Sequence, residues 1–229
     1  MSTRCSIIVV AYNSAEELAA WPLGLSDEGV ELIVVDNGSS DDSAAVAAGL
    51  GATVFKIDEN LGWSRACNLG AAKATGEVLL FVNPDAALTS VAVTALAAKA
   101  LAARRAVVPR FVNPDGSAQS FYFRLPTPLS GLFLYFNTGR RLDRILGSPV
   151  AKRARYHDRA GPGVPVAHGG GACTAIPRSL FAQMGGFDET MWLFFSDTDL
   201  SRRMAAAGAP IDVAWEVSVT HVGGSGVQW

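Results

Sequence analysis

Short apolar runs that end on Asn, Asp or Gly and give way to helix-type patterns recur through the first half of this chain. Cys5 to Ala11 (CSIIVVA) is continuous and rich in β-branched residues, and Ser14-Ala-Glu-Glu17 behind it has capping-box spacing. Val30 to Asp36 (VELIVVD) stops at Asn37-Gly38, and Ser39 to Asp42 opens a second helical stretch. Ala52 to Ile57 is followed by an alanine-rich helix closing at Gly76. Leu79 to Val82 ends abruptly at Asn83-Pro84-Asp85, ahead of a long helix from Ser90 to Arg105. Runs this short and this apolar suit strands buried on both faces, and the alternation with helices predicts an α/β domain with a mostly parallel sheet flanked by helices.

The second half is less regular. Residues 111 to 165 carry several prolines and a basic stretch that match no single element. GGGACTAIPRS contains a short strand, and Asp197 to Ala207 is a helix with Leu200 and Met204 one turn apart. Two short strands are expected after it, Ile211 to Trp215 and Val217 to His221.

Length and composition exclude several classes. At 229 residues, 49% apolar and 17% charged, the chain suits one globular α/β domain. Its net charge of −2 gives no support for nucleic acid as a partner. No run has transmembrane length, and the amino terminus lacks a signal-peptide pattern. Cys5, Cys67 and Cys173 are far apart and lack metal-type spacing, which fits free thiols in a reducing cytosol. The expected location is therefore cytoplasmic.

In an open parallel sheet, ligands bind beyond the carboxyl ends of the strands. The residues arriving there are Tyr12 and Asn13, Asp36 and Asn37, Asp58 and Asn60, and Asn83 and Asp85. Each also suits a turn, but together they place carbonyl and carboxylate groups on one rim. No G-x-G-x-x-G follows the first strand and no P-loop occurs, which argues against a dinucleotide enzyme or a P-loop hydrolase.

SIIVVAYNSAEEL, LIVVDNGSSDDS, NLGWSRACNLGAAKATGEVLLFVNPDA and GGFDETMWLFFSDTDLSRRMAAAG, in that order, resemble the motifs of glycosyltransferase family 2, with a rhamnosyltransferase-like flavour. The resemblance covers nearly the whole chain. It implies a GT-A fold, a single Rossmann-like domain with a nucleotide-sugar half (1–109) and an acceptor half (110–229). The reaction implied is inverting transfer of a sugar from a nucleoside diphosphate sugar, dTDP-rhamnose or a UDP-sugar, to a saccharide or lipid-linked acceptor.

The resemblance also assigns roles. Ala11, Tyr12 and Asn13 flank the nucleotide, and Asp36 accepts from the pyrimidine. Asn60, Arg65 and Asn68 lie near ribose and donor sugar. Asn83-Pro84-Asp85 stands where the family carries a D-x-D metal clip, so Asp85 is the main ligand of a Mg2+ or Mn2+ ion and the neutral Asn83 replaces the first Asp. His221 completes the metal shell, ahead of a Gly223-Gly-Ser-Gly226 loop suited to a diphosphate. Asp197 aligns with the catalytic base, with Ser196 where Glu is usual. Both Ser196 and Asp199 also suit a helix cap, and that alternative stays open. Gly171, Asp188, Trp192 and Asp199 fall on the acceptor side, where Asp188 suits a turn cap and Trp192 core packing equally well. His157 and His168 have no comparable context.

Leu129 to Phe136 is apolar and is followed by a basic stretch from Arg140 to Arg159. That pairing suits peripheral contact with an anionic membrane at its inner face, or a packed helix end before a solvated cationic loop. A homodimer also stays open. The competing function is a non-catalytic sugar-nucleotide-binding or scaffold protein of the same fold, to which Ser196 and Asn83 lend weight.

Overall fold

The computed structural model describes residues 5–22, 25, 29–119, 122–123, 125 and 166–223. The expectations for the basic stretch, for His157 and for residues 224–229 lie outside the described residues. Strands β1 (Cys5–Ala11), β2 (Val30–Asn37), β3 (Thr53–Ile57) and β4 (Val78–Val82) form as the apolar runs require. Every residue of β1 and β4 is buried. Next come β5 (Ala86–Ala87), β6 (Val107–Val112), β7 (Tyr122–Phe123), β8 (His168–Gly169), β9 (Cys173–Pro177) and β10 (Asp212–His221). The helices among the described residues are α1 (Ala15–Ala19), α2 (Ser43–Gly49), α3 (Trp63–Lys73), α4 (Ser90–Ala103), α5 (Arg178–Gln183) and α6 (Ser196–Ala206).

An eight-stranded sheet runs in the order β3-β2-β1-β4-β9-β6-β10-β5, and β7 pairs with β8 in a small second sheet. Strands β3, β2, β1 and β4 are parallel, β9 runs antiparallel to both β4 and β6, and β10 is parallel to β6. Register brings the strand ends to one rim: Ala11 lies across from Asp36, Val9 from Val82, and Val82 from Cys173. Because β9 is reversed, its amino end reaches that rim, and the Asn83 N–H donates to the Ala172 carbonyl at 2.9 Å.

Helix α3 lies close against the sheet at Gly70, where a Cβ would stand 2.6 Å from Ile8 Cγ2. Phe187 anchors the acceptor-side segment in the core, its ring 4.8 Å from Trp63, 5.0 Å from Phe81 and 5.3 Å from Phe181. Edge-on aromatic packing of this kind fixes the turn that carries Phe187.

Some local expectations are overturned. Ser14 precedes α1 but makes no capping box, because its Oγ accepts from the Tyr12 N–H at 3.3 Å and donates to the Tyr12 carbonyl at 3.1 Å. Ser196 does not cap α6 either: it is the first helical residue, and Phe195 in the left-handed region is the cap position. The two carboxyl-terminal strands are one strand, β10, with an irregularity between Ala214 and Ser218. Ala214 pairs with Pro109 there. A proline offers no N–H to the ladder, so a bulge opposite it costs the sheet little. Strand β6 and helix α5 had no counterpart in the sequence reading.

Candidate functional site

Asp36 ends β2 buried, 2% exposed, with its carboxylate accepting the Ser39 N–H at 3.1 Å and lying 3.9 Å from Lys56 Nζ. Beside it, β1 ends on the buried Ala11 and delivers Tyr12, 48% exposed, to the rim. Asn13 adopts φ 49° and ties the two loops together: its N–H donates to Ser39 Oγ at 3.0 Å, and its Oδ1 accepts the Ser40 N–H at 2.8 Å. Asp41 accepts the N–H groups of Ala15 and Ser43, both at 3.0 Å, and the Ser43 hydroxyl. Burial opposes the Asp41 charge, but those donors outweigh it and hold the carboxyl below its usual range.

The Asn83-Pro84-Asp85 turn is fixed from below by Trp21, whose indole N–H donates to the Pro84 carbonyl at 2.6 Å. β5 then pairs with the end of β10, Ala86 against His221, and the Val222 N–H donates to the Asp85 carbonyl at 3.1 Å. This brings Asp85 Oδ1 to 3.4 Å from His221 Nε2, with both side chains nearly buried. A carboxylate oxygen and an imidazole nitrogen converging this way suit Mn2+ or a similar divalent ion, whose remaining positions diphosphate oxygens and water can fill. No cluster of three or more His, Cys, Asp or Glu side chains suited to a metal occurs among the described residues.

Asp197 sits in the first turn of α6, its side chain 28% exposed. Its Oδ1 accepts the Thr198 N–H at 2.8 Å. Gly171 lies against it, with room for a Cβ only 3.5 Å from that of Asp197. His168 on β8 is buried behind it, its Nδ1 4.0 Å from Asp197 Oδ2 and its Nε2 3.5 Å from Thr198 Oγ1. Burial pushes the His168 imidazole below its ordinary value, against the opposing pull of the Asp197 charge, so the ring is held towards neutrality. Ser196 is buried and hydrogen-bonded to Ser64 of α3.

Other sequence candidates also make contacts within the protein. Asn60 Oδ1 accepts from Asn37 Nδ2 and from the Gly62 N–H, each at 2.9 Å. Asn68 pairs with the Phe187 backbone through both ends of its amide, at 2.9 Å each, and also donates to Glu189. Asp188 accepts the Thr190 N–H and hydroxyl, which hold its carboxyl below the usual range and close a turn. Asp199 binds Arg202 at 3.0 Å and Arg203 at 2.7 Å, and Arg203 continues to the carbonyls of Met184 and Gly186. Arg65 is more than half exposed in the first turn of α3, 3.8 Å from Glu189. Trp192 keeps its indole 54% exposed, while its carbonyl accepts the Trp63 N–H at 2.7 Å.

Register and contact thus bring Ala11 beside Asp36 and Asn83 beside Ala172 on one rim, set Gly171 against Asp197, and join His221 to Asp85. Trp21, Ser64, Gln119 and His168 support these groups and were not foreseen. His168 precedes a run of glycines, and Gln119 falls in the proline-bearing segment, so neither carries a local signal.

The family model described as glycosyl transferase family 2 matches residues 6–184. An N-acetylglucosaminyl-diphospho-decaprenol L-rhamnosyltransferase of Mycobacterium tuberculosis is 28% identical over 233 residues, covering 91% of this chain and 72% of the relative. The low-salt glycan biosynthesis hexosyltransferase Agl10 of Haloferax volcanii is 24% identical over 221 residues, covering 94% of this chain and 66% of the relative. Among solved structures, a Pyrobaculum calidifontis mannosyltransferase in complex with GDP-Man and Mn2+ superposes with a TM-score of 0.64 at 19% identity. The match covers 99% of this chain but only 59% of the mannosyltransferase. Staphylococcus aureus TarS 1-349 in complex with UDP gives a TM-score of 0.58 at 18% identity, over 95% of this chain and 60% of TarS 1-349. The mixed, mostly parallel sheet is therefore that of the GT-A glycosyltransferases, and the chain belongs to glycosyltransferase family 2 as a rhamnosyltransferase-like sugar-transferring enzyme.

Proposed function

We propose that this chain transfers a hexose, with inversion, from a pyrimidine nucleoside diphosphate sugar to a hydroxyl of a saccharide or lipid-linked acceptor. dTDP-rhamnose or a UDP-sugar is the donor. The observation that carries the reading is that the carboxyl ends of β2, β4 and β10 bring Asp36, Asp85 and His221 to one rim, with His221 Nε2 3.4 Å from Asp85 Oδ1. The rhamnosyltransferase relative supports a lipid-linked acceptor.

On this reading Ala11, Tyr12 and Asn13 form the wall against the nucleotide, and the Asp36 carboxylate accepts the N–H of a uracil or thymine edge. Asn60 and Asn68 shape the donor pocket through the loops they fasten, and Arg65 faces the diphosphate side. Asp85 and His221 hold Mg2+ or Mn2+, with Asn83 beside them. A divalent cation held there supplies Lewis-acid stabilisation of the charge growing on the leaving diphosphate. Asp197 accepts the proton of the acceptor hydroxyl as its oxygen attacks the anomeric carbon. Gly171 leaves the space in which that hydroxyl approaches, and Trp192 offers an apolar face to the acceptor sugar. Asp188 and Asp199 fix the turn and the helix start that hold this side in place.

A thermal-shift panel with UDP, dTDP, GDP and CDP, each with and without Mn2+, tests the donor half. A ligand specific for the native state adds about 2.7 kcal/mol at roughly a hundredfold excess over its dissociation constant. A Mn2+-dependent shift with a uracil or thymine diphosphate is expected. A response to GDP alone overturns the role of Asp36, and a response indifferent to Mn2+ overturns the metal assignment.

A further inference from the structure

The turn that follows β6, far from every family motif in sequence, makes a hydrogen-bond chain that ends on His221. Asp115 Oδ1 accepts the Ser117 hydroxyl at 2.6 Å and the Ser117 N–H at 2.9 Å. Asn113 Nδ2 donates to Ser117 Oγ at 2.8 Å. Gln119 Nε2 donates to Asn113 Oδ1 at 2.8 Å and to the His221 carbonyl at 3.0 Å. Gln119 Oε1 is left 3.1 Å from His221 Nδ1.

The direction of every link follows from its first member. A carboxylate only accepts, so Ser117 donates to Asp115 and its oxygen is available to Asn113. That fixes the Asn113 amide with its oxygen towards Gln119. Gln119 then meets two acceptors with its NH2 group and must present its oxygen to the imidazole. His221 Nδ1 therefore carries a proton, which leaves Nε2, 3.4 Å from Asp85 Oδ1, as the nitrogen that can turn a lone pair to a cation placed between them.

We propose that Gln119, oriented by the Asn113–Ser117–Asp115 chain, is a positioning residue that fixes the His221 tautomer in which Nε2 is a metal donor. The inference rests on the metal assignment above and deepens it. An acceptor on the far nitrogen of a ligating imidazole fixes ring orientation and raises ligand basicity, and its loss typically costs about 10- to 100-fold in metal affinity. The chain also explains a second Asn-Pro-Asp triplet: Asn83-Pro84-Asp85 carries the carboxylate that faces the metal position, while Asn113-Pro114-Asp115 orients the imidazole opposite it.

The test pairs Mn2+ titration of the full chain with UDP present, read by the free-ion EPR signal, with long-range 1H–15N spectra of the metal-free protein near pH 8. Gln119→Leu is expected to move His221 from the Nδ1–H to the Nε2–H tautomer and to weaken Mn2+ binding about 10- to 100-fold. Gln119→Glu keeps an acceptor for Nδ1–H and is expected to retain the wild-type tautomer. Metal-free melting curves separate these effects from unfolding. An Nε2–H tautomer in the wild type overturns the proposal, as does weakened Mn2+ binding in His221→Ala with none in Gln119→Leu. Wild-type Mn2+ affinity in both variants overturns the metal assignment together with this role, whereas weakening in both supports both.

Discussion

The hydroxyls of Ser64 on α3 and Ser196 on α6 lie 2.5 Å apart, both buried, although 132 residues separate them in the chain. Both hydroxyls also reach the Met191 carbonyl, Ser64 closely and Ser196 at 3.4 Å. The family resemblance implies Glu at this place. Here a hydroxyl pair clamps the helix of the candidate base onto the helix of the donor side. Ser64→Ala leaves the Ser196 hydroxyl and the Met191 carbonyl only their 3.4 Å contact with each other and is expected to cost about 1 kcal/mol in urea unfolding. Ser196→Glu forces a longer, charged side chain against Ser64 and Met191, and is expected to destabilise by about 2–3 kcal/mol rather than to improve transfer.

Gly62 is a second point of fixed geometry. It has φ +84°, and a Cβ there would meet the Trp192 carbonyl oxygen at 2.5 Å and Trp192 Cδ1 at 2.6 Å. Gly62→Ala combines a left-handed backbone with that collision, so a loss of about 1–3 kcal/mol is expected. Quenching of Trp192 fluorescence by acrylamide should rise in the variant, because the indole is displaced from its seat over the glycine. Unchanged stability and quenching would show that the contact imposes no constraint.

These contacts mark the boundary of what sequence reasoning reaches. Strands β1, β2 and β4 were legible because each is short, apolar and fully or largely buried, so one periodicity decides it. The pairing of Asp85 with His221 was legible only through family motifs, and the structure does bring the two side chains together. Strand β6 was hidden by Pro109, which reads as a breaker and is tolerated because β10 bulges opposite it. The alternative of Ser196 as a cap rested on Ser preceding acidic residues, and its tertiary contact with Ser64 displaces that role. Gln119 was beyond reach, because its role depends on the direction of hydrogen bonds to a strand 102 residues away.

At the opposite end of the sheet, Glu31 binds the Ser6 hydroxyl at 2.5 Å, the Thr75 N–H at 2.6 Å and the Thr75 hydroxyl at 3.0 Å, and the Gly76 N–H at 3.3 Å. Burial opposes its charge, but these donors prevail and set its carboxyl below the ordinary value. A depressed folded value means that the unfolded chain binds the proton more readily. The contribution is therefore complete above the unfolded value near about pH 4.3 and is lost as pH falls through the folded one. Glu31→Gln should lower the melting temperature at pH 7 and flatten its fall below pH 5. An equal acid slope in both proteins would place that pH dependence elsewhere.

All three cysteines are buried. Burial, reinforced by Glu31, pushes the Cys5 thiol up to about 12, and burial likewise raises Cys67 and Cys173 well above the ordinary thiol range. The native protein at pH 8 should therefore resist a thiol reagent for hours and take up three equivalents in denaturant. Rapid labelling of Cys67 in the native state would mean that α3 opens locally, since Cys67 is 1% exposed on that helix.

Asp197→Asn isolates the proton acceptor from the scaffold. The Asn oxygen can still accept the Thr198 N–H that now reaches Asp197 Oδ1 at 2.8 Å, so the start of α6 should hold and melting should be unchanged. Nucleotide binding at Asp36 and Asp85 should also survive, because neither group contacts this position through any hydrogen bond described above. On the proposed mechanism, what disappears is the carboxylate oxygen that takes the proton of the acceptor hydroxyl. General-base catalysis contributes about a hundred- to ten-thousand-fold, so kcat should fall by that factor with the donor that the thermal-shift panel selects. A variant with normal binding and normal kcat would remove Asp197 from the chemistry and leave it as the residue that starts the helix.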